Sequence, residues 1–303
     1  MQPLNYLQST TGIIWVIASV IMGFGLTFLA YMIINKAPAK WLCDYNEVPS
    51  PELLSGQRVN YKKSGIILSF VVSACLVLCR LQFNKGFDIY FIFLSLIIFT
   101  AVMITVSDMK YTIIPDQFTV LLGVLALIIS IYDLVRGYNI LHQSWWSPIA
   151  GAAMGGIVMI LIDLLGMLIY KKDGMGFGDV KLFFAVGILT GFPGTIYVLI
   201  ISIVVAAICF IIIIAASRLM SSSKKENLSE NEQQEEKLST ESTDNVENSS
   251  QEADDTESDQ TDDEQVTGGS QLAFGPYIAI ALIAYVSLFD YIYYLVGLYL
   301  NLF

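Results

Sequence analysis

Gly174-Met175-Gly176-Phe177-Gly178-Asp179-Val180-Lys181-Leu182-Phe183-Phe184-Ala185-Val186-Gly187-Ile188-Leu189-Thr190-Gly191 is the stretch on which the fold turns. Its apolar part, 179–192, is 14 residues long, whereas a bilayer crossing takes about 20. It either tilts across alone or continues past Gly191. Counted as a crossing, it makes the eighth; uncounted, it moves the acidic segment and the C-terminus each to the opposite side of the membrane. The same stretch opens with three glycines at alternate positions, beside a carboxylate at the mouth of a hydrophobic helix. An acid at that depth is costly unless it is paired, hydrated or used.

Composition points the same way. The chain has 303 residues, 55% of them hydrophobic and 14% charged, with a mean hydropathy of +0.64. These values belong to membrane proteins rather than soluble domains. The net charge of −11 is local: residues 221–270 hold 16 Asp/Glu and 3 Lys, a balance of −13, so the remainder sums to +2. No nucleic-acid partner is expected; the lipid bilayer is.

Seven other apolar segments fit a crossing: 12–35, 64–82, 87–107, 113–135, 149–170, 194–217 and 273–300. The reading is an all-α polytopic membrane protein of about eight transmembrane helices. Lys and Arg set its orientation. Thirteen lie in 36–63, 108–112, 171–181 and 218–272, against Arg80, Lys85 and Arg136 in the other loops. The first set is therefore cytoplasmic and both termini extracytoplasmic. Met1–Thr11 has no Lys or Arg, so the first apolar run reads as a retained span, not a secretory signal. In 149–170, Gly151, Ala152, Ala153, Gly155 and Gly156 suit close helix contact.

The domain plan is a first span (1–35), a cytoplasmic loop (36–63), a helical core (64–218), an acidic segment (219–270) and a last span (271–303). Pro38, Pro49 and Pro51 make the loop irregular. The acidic segment has no aromatic residue and few aliphatics; it cannot offset its ordering entropy and is expected to be a disordered spacer on the cytoplasmic side. Cys75, Cys79 and Cys209 lie in apolar runs as small hydrophobes. No metal site is expected.

Two boundary stretches could carry chemistry. One is Ser107-Asp108-Met109-Lys110-Tyr111-Thr112-Ile113-Ile114-Pro115-Asp116, and the other is the opening stretch. The topology puts Asp108 and Asp179 in one leaflet on different helices. Two carboxylates brought together there cannot both ionise freely. A shared proton is what an aspartic hydrolase needs: one Asp draws a proton from water while the other protonates the carbonyl oxygen. Gly176 and Gly178 lack Cβ atoms, so a second backbone or an extended substrate can come close to Asp179. The bland alternatives are a helix cap at Asp179 and an ion pair from Asp108 to Lys110.

These residues resemble a family. Gly176-Phe177-Gly178-Asp179 with Lys181 is similar to the Gly-x-Gly-Asp signature of the type IV prepilin peptidases, and Ser107-Asp108-x-Lys110 with Ile114-Pro115-Asp116 resembles their first aspartate motif. Leu272-Ala273-Phe274-Gly275-Pro276-Tyr277 resembles the entry to their last span. The resemblance covers about 87–300 and implies a membrane aspartic endopeptidase with Asp108 and Asp179 catalytic. Gly176, Gly178, Lys110, Lys181, Pro115 and Asp116 would support them, with Asp116 expected to cap the fourth span. It implies prepilin or pseudopilin precursors as substrates, cut at the cytoplasmic face of a bacterial inner membrane, and no cofactor for proteolysis. Many members also N-methylate the product with S-adenosylmethionine and carry Cys-x-x-Cys pairs in the first loop. Here 36–63 has only Cys43, which counts against that step; Glu47 is the loop residue that would test it.

Rival chemistries fail by inventory. There is no His-Glu-x-x-His, the zinc-protease signature. The single histidine, His142, is expected on the outer face with Trp145 and Trp146 as aromatic anchors, far from any cytoplasmic nucleophile. Presenilin-like proteases want Tyr-Asp and Pro-Ala-Leu where Ser-Asp and Phe-Gly-Pro stand. The alternative from another class is a transporter or channel using Asp163 and Asp290, expected to face the bundle. Asp133, near the outer boundary, is expected to be solvated.

Overall fold

A computed structural model describes residues 10–43, 51–54, 58–82, 89–137, 141–142, 144–170, 176–239 and 274–300. All regular structure among them is helical. The helices are α1 (Thr10–Lys36), the short α2 (Pro51–Leu54), α3 (Ile66–Gln82), α4 (Ile89–Tyr111), α5 (Asp116–Arg136), α6 (Ser147–Tyr170), α7 (Phe177–Ser239) and α8 (Gly275–Leu300). Helices α1, α4, α5, α6 and α7 are long and apolar enough to cross a membrane, and α3 and the first part of α8 are shorter apolar helices. The chain is a multi-pass membrane protein.

It divides into two units, Met1–Ala206 with Gln271–Phe303, and Ala207–Ser270. Within the second, helix runs to Ser239, into the stretch expected to be disordered. Residues 224–238 are rich in Glu, Gln, Lys and Leu, without Gly or Pro, and such straight-chain residues favour helix. The rest of the expected spacer, 240–270, lies outside the described residues.

Helix α4 is the axis of the first unit. It is apolar on every side, as a fully buried helix must be, and residues 97–108 are all buried. Helices α1, α3, α5 and α8 pack around it. The buried polar residues of its last turns are Thr105, Ser107 and Asp108. Arg80, expected in an outer loop, is instead fully buried in α3. Its guanidinium lies 4.8 Å from the Trp15 ring and 5.3 Å from the Phe91 ring, so aromatic faces from α1 and α4 replace water around the cation.

The doubtful stretch breaks at Gly191, where φ is +67° and Pro193 follows. A residue with a side chain would be strained there. Hydroxyls satisfy the backbone groups freed by the break. Ser130 Oγ donates to Ile188 O (3.1 Å), Phe192 N–H donates to Ser147 Oγ (3.3 Å), and Thr195 Oγ1 donates to Gly191 O (2.6 Å). The segment before the break is buried from Val180 to Leu189 on its inner face, while Ile200, Ile203 and Val204 after it are exposed. The break thus divides α7 into two helical segments at the boundary between the apolar segments 179–192 and 194–217.

At the same level α6 and α7 cross backbone to backbone. A Cβ on Gly187 would lie 2.7 Å from Ala152 N and closer still to the Gly151 carbonyl. Gly151 and Gly155 make this contact, while Ala153 faces outward.

The C-terminal end of α5 holds a polar cluster that departs from expectation. Asp133 is fully buried, not solvated. It accepts hydrogen bonds from Tyr90 OH (2.6 Å) and from the N–H groups of Leu141 and His142 (both 3.1 Å). The chain after α5 folds back over Asp133 and uses it to satisfy its own backbone donors. His142 is buried too, with Nε2 2.8 Å from Ser130 Oγ. Ser130 Oγ gives its proton to Ile188 O, so Nε2 must be the donor of that pair. Trp145 and Trp146 remain exposed, as interfacial anchors should.

Two outcomes follow. Gly187→Ala is expected to lower stability by about 1–3 kcal/mol through overpacking, whereas Gly25→Ala, with open space around it, should cost nothing; thermal unfolding in detergent compares them. Burial also holds the His142 imidazole down at about 4 against the opposing pull of Asp133. Unfolded, the ring takes a proton below 6.5. Its contribution is therefore complete above pH 6.5 and lost as pH falls toward 4, by up to about 3 kcal/mol. His142→Gln should flatten the melting temperature over that window.

Candidate active site

Asp108 sits one turn before the end of α4 and is 2% exposed. The helix stops because Thr112 adopts φ +53°, an outlier for a β-branched residue, while its N–H still donates to Asp108 O (2.8 Å). Ser107 Oγ donates to Ile113 O (3.1 Å), and Pro115, in extended conformation, starts α5. Four residues thus turn the chain directly below the carboxylate.

Lys110 does not pair with Asp108. The two are i and i+2 on a helix and face different ways: Asp108 points inward, while Lys110 is exposed. Lys110 Nζ donates to Arg58 O and lies 5.5 Å from the Tyr111 ring. Arg58 in turn donates from Nη1 to the Ile34 and Ala37 carbonyls at the end of α1, and Asn35 Oδ1 accepts the N–H groups of Arg58 and Val59 (3.0 and 2.8 Å). The described part of the 36–63 loop is therefore tied both to α1 and to the end of Asp108's helix.

Asp116 is not a cap. It is the first residue of α5, one place too late for its side chain to reach the free N–H groups. Its carboxylate instead takes Lys181 Nζ at 2.8 and 3.0 Å. Both partners are about one-third exposed, so the pair contributes about 0–1 kcal/mol. It links the starts of α5 and α7.

Asp179 is the third residue of α7, not its cap, and is 4% exposed. Its carboxylate crosses to another helix, where the backbone N–H groups of Phe274 and Gly275 hydrogen-bond to it. These are among the donors that the first turn of α8 cannot satisfy itself, and the helix dipole favours an acid there. The last helix is capped from outside.

Gly275 brings the two acids together. A Cβ on it would lie 3.0 Å from Asp179 Oδ1 and closer still to Asp108 Oδ2. Both oxygens are buried and take no hydrogen bond from a described residue. Ile114 Cδ1 is the third atom at that point, 2.6 Å away. A Cβ on Gly178 would meet the same Ile114 side chain at 3.3 Å, whereas one on Gly176 would meet no described atom within 4 Å. The sequence stretches thus converge, and the supporting residues fall around them rather than on them. Such an arrangement can activate a water with one carboxylate and protonate a carbonyl with the other.

Gly275 and Ile114 stand in the quoted motifs but carried no role in the sequence reading. Phe-Gly-Pro signals a helix start, since proline suits the first turn, but only the fold shows whose carboxylate that start receives. Of the other acids, Asp163 is half-buried; the Asp290 side chain, Glu47 and Gly174 lie outside the described residues.

Residues 92–211 match the model of the type IV leader peptidase family. Over that stretch the chain is similar to this family. The matched stretch carries Asp108, Ile114, Asp116 and Asp179 and ends before Gly275. No curated protein and no solved structure matches the chain. A leader-peptidase-like protease is the activity the family supports.

Gly275→Ala separates packing from chemistry in such a protease. The atoms it would strike are the ends of the Asp108 and Ile114 side chains, which can swing aside, so the variant should fold. Displacing a reacting group by about 1 Å costs on the order of 100-fold in rate. Peptidase activity is expected to fall by at least that factor with an unchanged melting temperature.

Proposed function

We propose that the protein is an aspartic endopeptidase that removes the leader from prepilin-like precursors, with Asp108 and Asp179 as its catalytic pair. The observation that carries this reading is the convergence of Asp108 Oδ2 and Asp179 Oδ1 on one point beside Gly275. Similarity to the type IV leader peptidase family over residues 92–211 supports the reaction class; the carboxylate pair supplies a means of doing it.

In this reading one carboxylate takes a proton from a water, which attacks the scissile carbonyl. The partner, protonated, gives its proton to the carbonyl oxygen. Collapse of the tetrahedral intermediate breaks the C–N bond, and the leaving amine recovers a proton from the pair. Neither step needs a metal or cofactor. Lys181 and Asp116 hold α7 against α5, Pro115 fixes where α5 begins, and Lys110 fastens the first loop. Gly178 admits Ile114, and the open space at Gly176 leaves room for an extended substrate backbone.

The break at Gly191 supports counting α7 as two crossings. With that count there are eight, the termini are extracytoplasmic, and the pair faces the cytoplasm by the distribution of Lys and Arg. The enzyme is then a bacterial inner-membrane protein whose substrates carry a short basic leader before a hydrophobic helix. N-methylation with S-adenosylmethionine is not part of the proposal: the Cys-x-x-Cys pairs that accompany it in many members are missing from the first loop, whose one cysteine is Cys43.

The test is cleavage of a prepilin-type peptide by purified protein in detergent or liposomes. Asp108→Asn and Asp179→Asn should each lower kcat/KM by about 10²–10⁴-fold, the usual contribution of a general acid or base, with unfolding temperatures close to wild type. Full cleavage by either variant overturns the assignment.

A further inference from the structure

Resting on that reading, we propose that Ile114 sets how large a substrate side chain can be next to the scissile bond. Its backbone has little freedom. It lies in the link between α4 and α5, between Thr112 at φ +53° and Pro115, and the preceding carbonyl is held by Ser107 Oγ at 3.1 Å. The turn that places Asp108 therefore also places Ile114.

The side chain fills a notch with glycine on two sides. Its Cβ lies 3.3 Å from where a Gly178 Cβ would be, and its Cδ1 lies 2.6 Å from where a Gly275 Cβ would be. The three protein atoms nearest the latter point are Asp108 Oδ2, Ile114 Cδ1 and Asp179 Oδ1. Two polar walls and one apolar wall meet there, and the apolar one is a single isoleucine. Asp108 and Asp179 are buried while Ile114 is half-buried, so it stands at the rim of the pair.

A peptide in reactive position must bring its carbonyl, or the water attacking it, within about 2.6–3.2 Å of the carboxylates. Its neighbouring Cα atoms then lie in van der Waals range of Ile114, and a bulky substituent on the facing Cα meets the methyl group. A methylene-sized difference in such a wall shifts discrimination by about 10–200-fold. Ordinary core packing predicts something else: loss of Ile114 would weaken every substrate alike.

The experiment uses full-length protein in liposomes and peptides identical except for Gly, Ala, Val or Leu at either residue flanking the scissile bond. Ile114→Ala is expected to raise kcat/KM for the bulky peptides relative to the glycine peptide by at least about 10-fold, and Ile114→Phe to lower that ratio. Ile114→Leu, which conserves volume, should keep the wild-type ratio and provides a folded control. Asp108→Asn in the same assay separates the two claims. If wild type cleaves, Asp108→Asn does not, and the ratios in Ile114→Ala and Ile114→Phe stay within about 2-fold of wild type, this inference is wrong and the catalytic pair stands. If Ile114→Ala unfolds, Ile114→Val carries the same test, with a smaller rise in the ratio expected and an unchanged ratio refuting it. If cleavage survives Asp108→Asn, the underlying function fails and takes the inference with it.

Discussion

The site depends on a missing methyl group. Asp108 ends α4, Asp179 begins α7, and the two carboxylates meet because α8 begins with a residue that has no Cβ. Any side chain at Gly275 would occupy the point on which both oxygens converge. The same helix start gives Asp179 its hydrogen bonds, from the N–H groups of Phe274 and Gly275. One glycine therefore does two things that pull against each other in most residues: it lets a backbone approach an acid closely, and it leaves room for a second acid beside the first. Three helix ends that are far apart in the chain are fixed to one another through that point.

A second constraint acts from the break inside α7. The segment bearing Asp179 is short because Gly191 breaks it, and a break in an apolar surrounding leaves backbone groups that must be satisfied locally. Ser130 and Ser147 do this from α5 and α6, while Thr195 does it from within. His142 stands behind Ser130, and Asp133 holds the chain that carries His142. The polar cluster around the break thus fixes where the first segment of α7 ends, and the Gly151–Gly187 crossing fixes how it lies against α6. Between them they leave Asp179 little freedom to drift from Asp108.

Much of this was legible in the residues. Alternating glycines before an acid, a second acid at another helix end, and an apolar segment too short to cross comfortably before Gly191 all pointed to features that form. What was not legible depended on a third element. Asp133 looked solvated because a boundary acid ordinarily is; only the return of Leu141 and His142 over it buries it. Lys110 was the nearest cation to Asp108 in sequence, yet two residues along a helix point apart, and the cation went to Arg58 O. Asp116 resembled a cap, but helix α5 starts at it rather than after it, which frees its carboxylate for Lys181. In each case local pattern named the right residue and the partner came from elsewhere in the fold.

The use of helix ends for the site has a physical reason on the proposed reading. A peptide bond inside a helix is protected by its own hydrogen bonds, and in lipid those bonds cannot be exchanged for water. A protease acting near a membrane boundary must meet its substrate where the backbone is extended. Mid-helix residues would present two ridges of side chains to it. Helix starts present N–H groups and glycines, which accommodate an extended backbone without steric conflict. Gly176 is open, Gly178 and Gly275 give way to Ile114, and the first turn of α8 is already engaged by Asp179. The strained Thr112 fits the same account. A left-handed threonine costs about 1–3 kcal/mol, and what it accomplishes is to end α4 within one turn of Asp108, so that the acid lies at a helix end rather than within one.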